Sequence, residues 1–157
     1  MSQHLIKEEK IIEQALDIID NRFNALNGEI ILSSESAKSY ASLKLSAQKK
    51  EVFAALFLNT QGAVMKYIEF FYGTIDQCSV YPREILRACI EYDVQKVILM
   101  HNHPSGLTEP SQADRQITRD IMEALKYIDV AVIDHLIFGG SDCYSFAERG
   151  ILPVIGR

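Results

Sequence analysis

The sequence predicts an α/β domain in which a mixed β-sheet is flanked by helices. Short apolar runs of strand length alternate with longer segments in which apolar residues recur every three or four positions. Two of the apolar runs are joined by the turn Thr60-Gln61-Gly62, which is typical of a hairpin, and helical segments separate the later runs. A length of 157 residues, 48% of them hydrophobic and 24% charged, is ordinary for one globular domain.

The first predicted element is a helix over residues 3–27, which Asn27-Gly28 ends. Lys and Glu occupy the other sides of this helix. Its apolar face is therefore expected to pack either on its own domain or on a second copy of the chain, as a homodimer. We therefore divide the chain into an N-terminal helix, residues 1–28, and a domain over residues 29–157. The apolar face of the helix consists of Ile12, Leu16, Ile19, Phe23 and Leu26.

The remaining elements follow in order from capping residues, turns and apolar periodicity. Ser33 and Ser34 are candidate N-caps for a second helix, and Pro82 suits the first turn of a third. The inner face of that third helix is predicted to carry Ile85, Leu86, Cys89 and Ile90. The predicted helices are 34–45, 83–92 and 111–127, and the predicted strands are 52–58, 64–72, 96–101, 130–138 and 144–146.

Charge and composition limit the classes of partner. Sixteen basic and 21 acidic residues give a net charge of −5, without a Lys/Arg-rich run, so direct binding to nucleic acid is not expected. No apolar run is long enough for a membrane helix, and the N-terminus is charged where a signal peptide is apolar, so we expect a cytoplasmic protein. Cys78, Cys89 and Cys143 form no CxxC pair, which suits buried thiols in a reducing compartment.

The residues that point to chemistry surround His101 and His103. Both lie at the end of a predicted strand, where residues two apart face the same side, and Pro104 keeps His103 extended. Asp114 follows in the first turn of the next helix and can supply an oxygen ligand. Two nitrogens and one oxygen leave a fourth tetrahedral position for water, the arrangement of a catalytic zinc site.

Each part of this pattern also has a simpler explanation. Two histidines in an HxH sequence are often surface residues, and Ser111 with Asp114 fits a capping box that only satisfies helix N–H groups. The coincidence of a strand-end HxH, a turn and Ser-x-x-Asp at a helix start favours the metal site.

The full pattern resembles a known family. His101-x-His103-x7-Ser111-x2-Asp114 matches the signature of the JAB1/MPN/Mov34 metalloenzyme (JAMM) domain. A longer set of motifs, from about Glu29 to Leu152, is similar to the RadC branch of that superfamily. These motifs are Gly73-Thr74, Pro82-Arg83-Glu84, the run from His101 to Gly106, Pro110-Ser111, Asp114, the run from Asp134 to Ile137 and the run from Ser145 to Gly150.

The resemblance implies a JAB/MPN fold, similar to cytidine deaminases, and a set of site residues. His101, His103 and Asp114 would bind Zn²⁺, and Ser111 would hydrogen-bond an oxyanion. Glu51 matches the position of the family's general base. The alternative for Glu51 is an exposed charge at a strand end, and Glu69 is the other candidate base.

The activity implied is zinc-dependent hydrolysis of a peptide or isopeptide bond in a protein or peptide substrate, in a RadC-family protein associated with DNA repair. The alternative is a non-enzymatic module that binds a partner in DNA repair or mobile-element biology. Two features differ from the family pattern: Tyr81 stands where a His is common, and residues 1–28 are too short for a helix-hairpin-helix segment. The chain is therefore expected to be a stand-alone RadC-like protein.

Asp134 and His135 leave two interpretations open. An Asp-His pair on a strand beside the site suits a role in orienting a ligand imidazole. A core histidine whose ring nitrogens meet backbone groups is the other interpretation, and neither residue is placed among the metal ligands.

Overall fold

The described part of the chain contains four helices and one five-stranded sheet, which confirms the predicted α/β class. A computed structural model describes residues 3–25, 34–46, 48–73 and 80–156. The helices are α1 (Gln3–Ala25), α2 (Ser34–Ser46), α3 (Pro82–Glu91) and α4 (Gln112–Lys126). The strands are β1 (Glu51–Leu58), β2 (Val64–Gly73), β3 (Lys96–Asn102), β4 (Ala131–Gly139) and β5 (Asp142–Ser145).

The sheet is mixed, with the strand order β2-β1-β3-β4-β5. The predicted hairpin is confirmed, since β1 and β2 pair in antiparallel fashion. β1 is also antiparallel to β3, whereas β3 and β4 are parallel neighbours. A parallel pair cannot be joined by a tight turn, and here α4 makes the crossover between the two strands.

Helices cover both faces of the sheet, so apolar residues of β1 and β3 point to both sides and these two strands are nearly continuous apolar runs. On one face, α2 contributes Tyr40, Ala41 and Leu45 to a core with β1 and β3. On the other face, α3 and α4 cover Phe53, Phe57 and Leu99. Pairing of Phe53 with His101, and stacking of their rings at 5.9 Å, place His101 on the α3/α4 face.

The topology collects one edge of the sheet into a site. Because β1 is antiparallel to β3, the first residue of β1, Glu51, lies beside the carboxyl end of β3. His101 is in that end of β3 and His103 follows it, while α4 begins after the next loop. Residues far apart in sequence therefore meet at one end of β3.

The loop after β3 packs directly against the end of β4. The N–H of His103 donates to the carbonyl of Phe138 at 2.7 Å, which extends the β3–β4 pairing past the strand end. Gly106 turns this loop with a φ of +84°, a conformation that favours glycine. A β-carbon on Gly139 would lie 2.6 Å from the Gly106 carbonyl oxygen, so only glycine fits beneath the loop.

Replacing Gly139 with alanine is therefore expected to lower the free energy of unfolding by about 1–3 kcal/mol, as overpacking against rigid backbone does. Gly156→Ala is the matched control, because a β-carbon there meets nothing within 4 Å, and its effect should stay within about 0.5 kcal/mol. Urea denaturation of both variants measures the difference. Equal stability of the two variants would contradict the tight packing of the loop.

The N-terminal helix presents apolar side chains to solvent. Ile6, Ile11, Ile12 and Ile18 are exposed, and Leu16 is half-buried. The side chains of the other members of the predicted apolar face, Ile19, Phe23 and Leu26, and the helix-ending Asn27-Gly28 lie outside the described residues. A contact with a second copy of the chain stays a prediction.

Two details of the predicted core are wrong. Ile90 on α3 is 60% exposed, because Ile85 and Cys89 define the buried face and a helical rotation of 100° per residue turns Ile90 away from it. Cys143 is exposed rather than buried, because it lies on the four-residue edge strand β5, which has one neighbouring strand. Cys89 is buried as predicted, and burial raises the pKa of its thiol to about 12. Cys78 lies outside the described residues.

Within residues 3–25, 34–46, 48–73 and 80–156, no helix combines the length and the apolar character needed to cross a lipid bilayer.

Candidate metal centre

Two imidazoles and a carboxylate converge at the carboxyl end of β3. The Nε2 atoms of His101 and His103 are 2.9 Å apart. Asp114 Oδ1 lies 3.2 Å from His101 Nε2, and its Oδ2 lies 3.5 Å from His103 Nε2. Ligand atoms at about 2.0–2.1 Å from one tetrahedral ion lie about 3.3 Å from one another. The three side chains are therefore close enough together for one metal ion to lie among them.

Asp114 carries an unsatisfied oxygen in this cluster. The residue is 1% exposed, and Oδ1 has no hydrogen-bond partner within the part of the chain that the structure describes. A buried acceptor without a partner costs about 1–3 kcal/mol, so such an atom calls for an unseen partner. Burial alone would raise the pKa of Asp114, but the imidazoles of His101 and His103 outweigh it and hold the pKa well below its ordinary value. The carboxylate is thus ionised and suited to a cation.

His103 is oriented by the loop that follows it. Its Nδ1 lies 2.7 Å from the carbonyl oxygen of Leu107, which can only accept, so Nδ1 carries the ring proton. In the neutral ring Nε2 then has a lone pair directed at the cluster. The neighbouring Asp114 carboxylate raises the pKa of His103, and burial opposes this rise.

Glu51 reaches the same cluster from β1. Its Oε1 lies 3.7 Å from His103 Nε2, and its side chain is 15% exposed. Ligand atoms of Glu51, His101 and His103 all lie within 4.8 Å of one another, so this trio could also hold a metal ion. The expectation that Glu51 sits on the same rim as the two histidines therefore agrees with the geometry.

Asn102 fixes the backbone on both sides of Glu51. Its Oδ1 accepts from the N–H of Val52 at 2.7 Å, and its Nδ2 donates to the carbonyl of Lys50 at 3.0 Å. These two peptide groups flank Glu51 directly. Asn102 thus ties Glu51 to the end of β3. The sequence did not predict this role, because an amide between two histidines has no recognisable pattern.

Glu69, the other candidate base, faces the opposite side of the sheet. It pairs with Ala54, whose side chain belongs to the α2 face, and residues directly opposite each other share a face. Its carboxylate accepts from the hydroxyl of Tyr67 at 2.9 Å and from the hydroxyl of Tyr72. The structure therefore brings Glu51 rather than Glu69 to the histidines.

Ser111 and Asp114 form the capping box that the sequence allowed. The Ser111 hydroxyl oxygen accepts from the N–H of Asp114 at 3.1 Å, and Asp114 Oδ2 accepts from the N–H of Ser111 at 2.7 Å. Capping and metal binding do not compete here, because the box uses Oδ2 and leaves Oδ1 for the cluster. The capping box instead fixes the carboxylate in place.

His135 lies directly behind His101, and Asp134 does not. The Nε2 of His135 is 2.8 Å from His101 Nδ1, and Thr118 Oγ1 is 2.6 Å from His135 Nδ1. Burial holds the pKa of His135 well below its ordinary value. Asp134 instead accepts from the Ser145 hydroxyl at 2.6 Å and from the N–H of Ala147 at 2.9 Å, which ties β4 to β5. Thr118 was missed in the sequence; its position four residues after Asp114 on the inner face of α4 was the available signal.

Sequence relatives agree with the resemblance drawn from the motifs. The family described as RadC-like JAB domain matches residues 31–151. A UPF0758 protein of Vibrio cholerae serotype O1 is 43% identical over 150 residues, which cover 96% of this chain and 94% of that relative. A UPF0758 protein of Tolumonas auensis is 48% identical over 125 residues, which cover 80% of this chain and 56% of that relative. The chain belongs to the RadC-like JAB domain family.

Proposed function

We propose that this protein is a zinc-dependent hydrolase of the JAMM type that cleaves a peptide or isopeptide bond. The observation that carries the proposal is the unsatisfied, buried Oδ1 of Asp114 beside the paired Nε2 atoms of His101 and His103. Two imidazole nitrogens and one carboxylate oxygen are the donor set of catalytic zinc sites, which keep a position for water. The net charge of −5 disfavours a nucleic acid as the substrate, because binding to phosphates draws on Lys and Arg.

His101, His103 and Asp114 would hold the ion. A zinc ion there would act as a Lewis acid, which lowers the pKa of a bound water to about 7 and polarises the carbonyl of the substrate. Glu51 would accept a proton from the attacking water and return it to the leaving amine. The Ser111 hydroxyl, whose oxygen accepts in the capping box, still has its own proton to donate to the developing oxyanion.

Glu51 is assigned as base rather than ligand on two grounds. Its carboxylate lies 3.7 Å from His103 Nε2, whereas that of Asp114 lies 3.5 Å from the same nitrogen and 3.2 Å from His101 Nε2. It is also partly exposed, whereas Asp114 is buried. A general base must exchange protons with water and substrate, and partial exposure permits this exchange.

The proposal predicts that the purified protein binds one zinc ion per chain and loses its hydrolytic activity when a chelator removes the ion. Metal analysis of the protein, followed by turnover of a peptide and isopeptide library before and after chelation, tests this. The apoprotein should stay folded, because two apolar cores of this size do not depend on a metal. A protein without affinity for zinc would overturn the proposal, and stoichiometric zinc without turnover of any substrate would favour a non-enzymatic partner-binding module.

A further inference from the structure

A chain of hydrogen bonds runs from α4 through β4 to His101. The Thr118 hydroxyl donates to the backbone carbonyl of Asp114 at 2.6 Å. Thr118 Oγ1 is also 2.6 Å from His135 Nδ1, and His135 Nε2 is 2.8 Å from His101 Nδ1. The chain thus begins at the backbone of one candidate ligand and ends at the ring of another.

The direction of every bond follows from the Asp114 carbonyl, which can only accept. Thr118 has one hydroxyl proton, and that proton is used on the carbonyl, so Thr118 Oγ1 must accept from His135 Nδ1–H. With its proton on Nδ1, the neutral ring of His135 presents a lone pair at Nε2. The proton between the two imidazoles then belongs to His101 Nδ1, and His101 Nε2 is left with a lone pair.

The surroundings keep this arrangement in place. Thr118, His135 and His101 are all 0% exposed, so water cannot compete for these bonds. The ring of His135 stacks on Phe146 at 4.7 Å and meets the edge of Phe53 at 5.6 Å. These aromatic neighbours on two sides hold the ring of His135 in the orientation that the hydrogen bonds require.

We propose that Thr118 and His135 are positioning residues that set the tautomer of His101 and so direct its Nε2 lone pair at the metal. The consequence is an inner cluster made of acceptors alone: His101 Nε2, His103 Nε2 and Asp114 Oδ1 face one another at 2.9 Å and 3.2 Å. Acceptors at such distances repel unless a proton or a metal cation lies among them. The inference rests on the proposed function only for the identity of the ion.

The matched pair Thr118→Val and Thr118→Ser tests the chain. Valine keeps the shape of threonine and removes the hydroxyl, whereas serine keeps the hydroxyl. Loss of a partner behind a metal-binding histidine costs 10–100-fold in metal affinity, so we expect a loss in that range for T118V and near wild-type affinity for T118S. Competition with a chromophoric zinc chelator measures the affinity, and circular dichroism confirms that each variant is folded. Equal zinc affinity of both variants and wild type would overturn the proposal.

A second measurement needs no variant. Long-range ¹H–¹⁵N spectra of the wild-type protein locate the ring proton of His135, which we expect on Nδ1. A proton on Nε2 would overturn the proposal, because His101 would then be forced to accept at Nδ1. A wild-type protein that binds no zinc would instead contradict the proposed function, and the His135 proton would still be located in the apoprotein. The two failures are therefore distinguishable.

Discussion

Replacing Glu51 with glutamine is expected to reduce turnover of a peptide substrate at least ~10²-fold while zinc affinity and folding are retained. Glutamine has the size and polarity of glutamate but cannot accept the proton of the attacking water. Glu51 Oε1 lies 3.7 Å from His103 Nε2, close enough to serve a water bound beside the histidines. Single-turnover rates and chelator competition on the same preparation separate the chemical step from metal binding.

Glu69→Gln is the control for this experiment. Glu69 lies on the opposite face of the sheet, where its carboxylate accepts hydrogen bonds from the hydroxyls of Tyr67 and Tyr72. Turnover of Glu69→Gln should therefore stay at the wild-type level. A loss in E69Q with normal turnover in E51Q would transfer the role of base to Glu69. A collapse of zinc affinity in E51Q would instead make Glu51 a metal ligand together with His101 and His103.

If Asp114 binds zinc as proposed, replacing it with asparagine is expected to weaken zinc binding by more than the 10–100-fold that follows loss of an outer partner, because the charge of a ligand is removed. The carbonyl oxygen of asparagine can still accept from the N–H of Ser111, so the cap of α4 should survive. Isothermal titration or chelator competition gives the affinity, and thermal unfolding of the apoprotein checks the helix cap.

Asp120→Asn provides the matched change on the same helix. Asp120 Oδ1 accepts from Gln116 Nε2 at 2.8 Å on the exposed side of α4, away from the histidines. Its replacement should leave zinc affinity unchanged. Wild-type affinity in D114N would show that Asp114 serves the capping box alone, and the ligand set would then have to include Glu51.

Much of the fold follows from local pattern. The strands and helices appear where apolar periodicity, Pro82 and the turn at Thr60-Gln61-Gly62 predict them, because a strand or helix must bury its apolar side. Exposure of individual residues is less predictable. Ile90 and Cys143 have apolar side chains, yet both are exposed: Ile90 because it lies on the outer side of α3, and Cys143 because it lies on the edge strand β5.

The site likewise has residues that local sequence places together and one, Glu51, that it does not. His101, His103, Ser111 and Asp114 are separated by one strand end and one loop, so local geometry is enough to place them near one another. Glu51 is distant in sequence, and spacing alone could not choose between it and Glu69. That choice depends on which face of β1 and β2 each residue occupies and on the antiparallel pairing of β1 with β3.

By itself, therefore, the sequence determined the α/β class, the order of the elements and the strand-end cluster of His101, His103 and Asp114, because each depends on contacts within a short stretch of chain. Only the tertiary structure decided that Glu51 joins the cluster, that Asn102 holds its backbone and that Thr118 and His135 stand behind His101. These contacts arise from strand pairing and from the packing of α4 on the sheet. A buried threonine or histidine has no distinctive spacing, and its role becomes visible only when the atoms on either side of it are known.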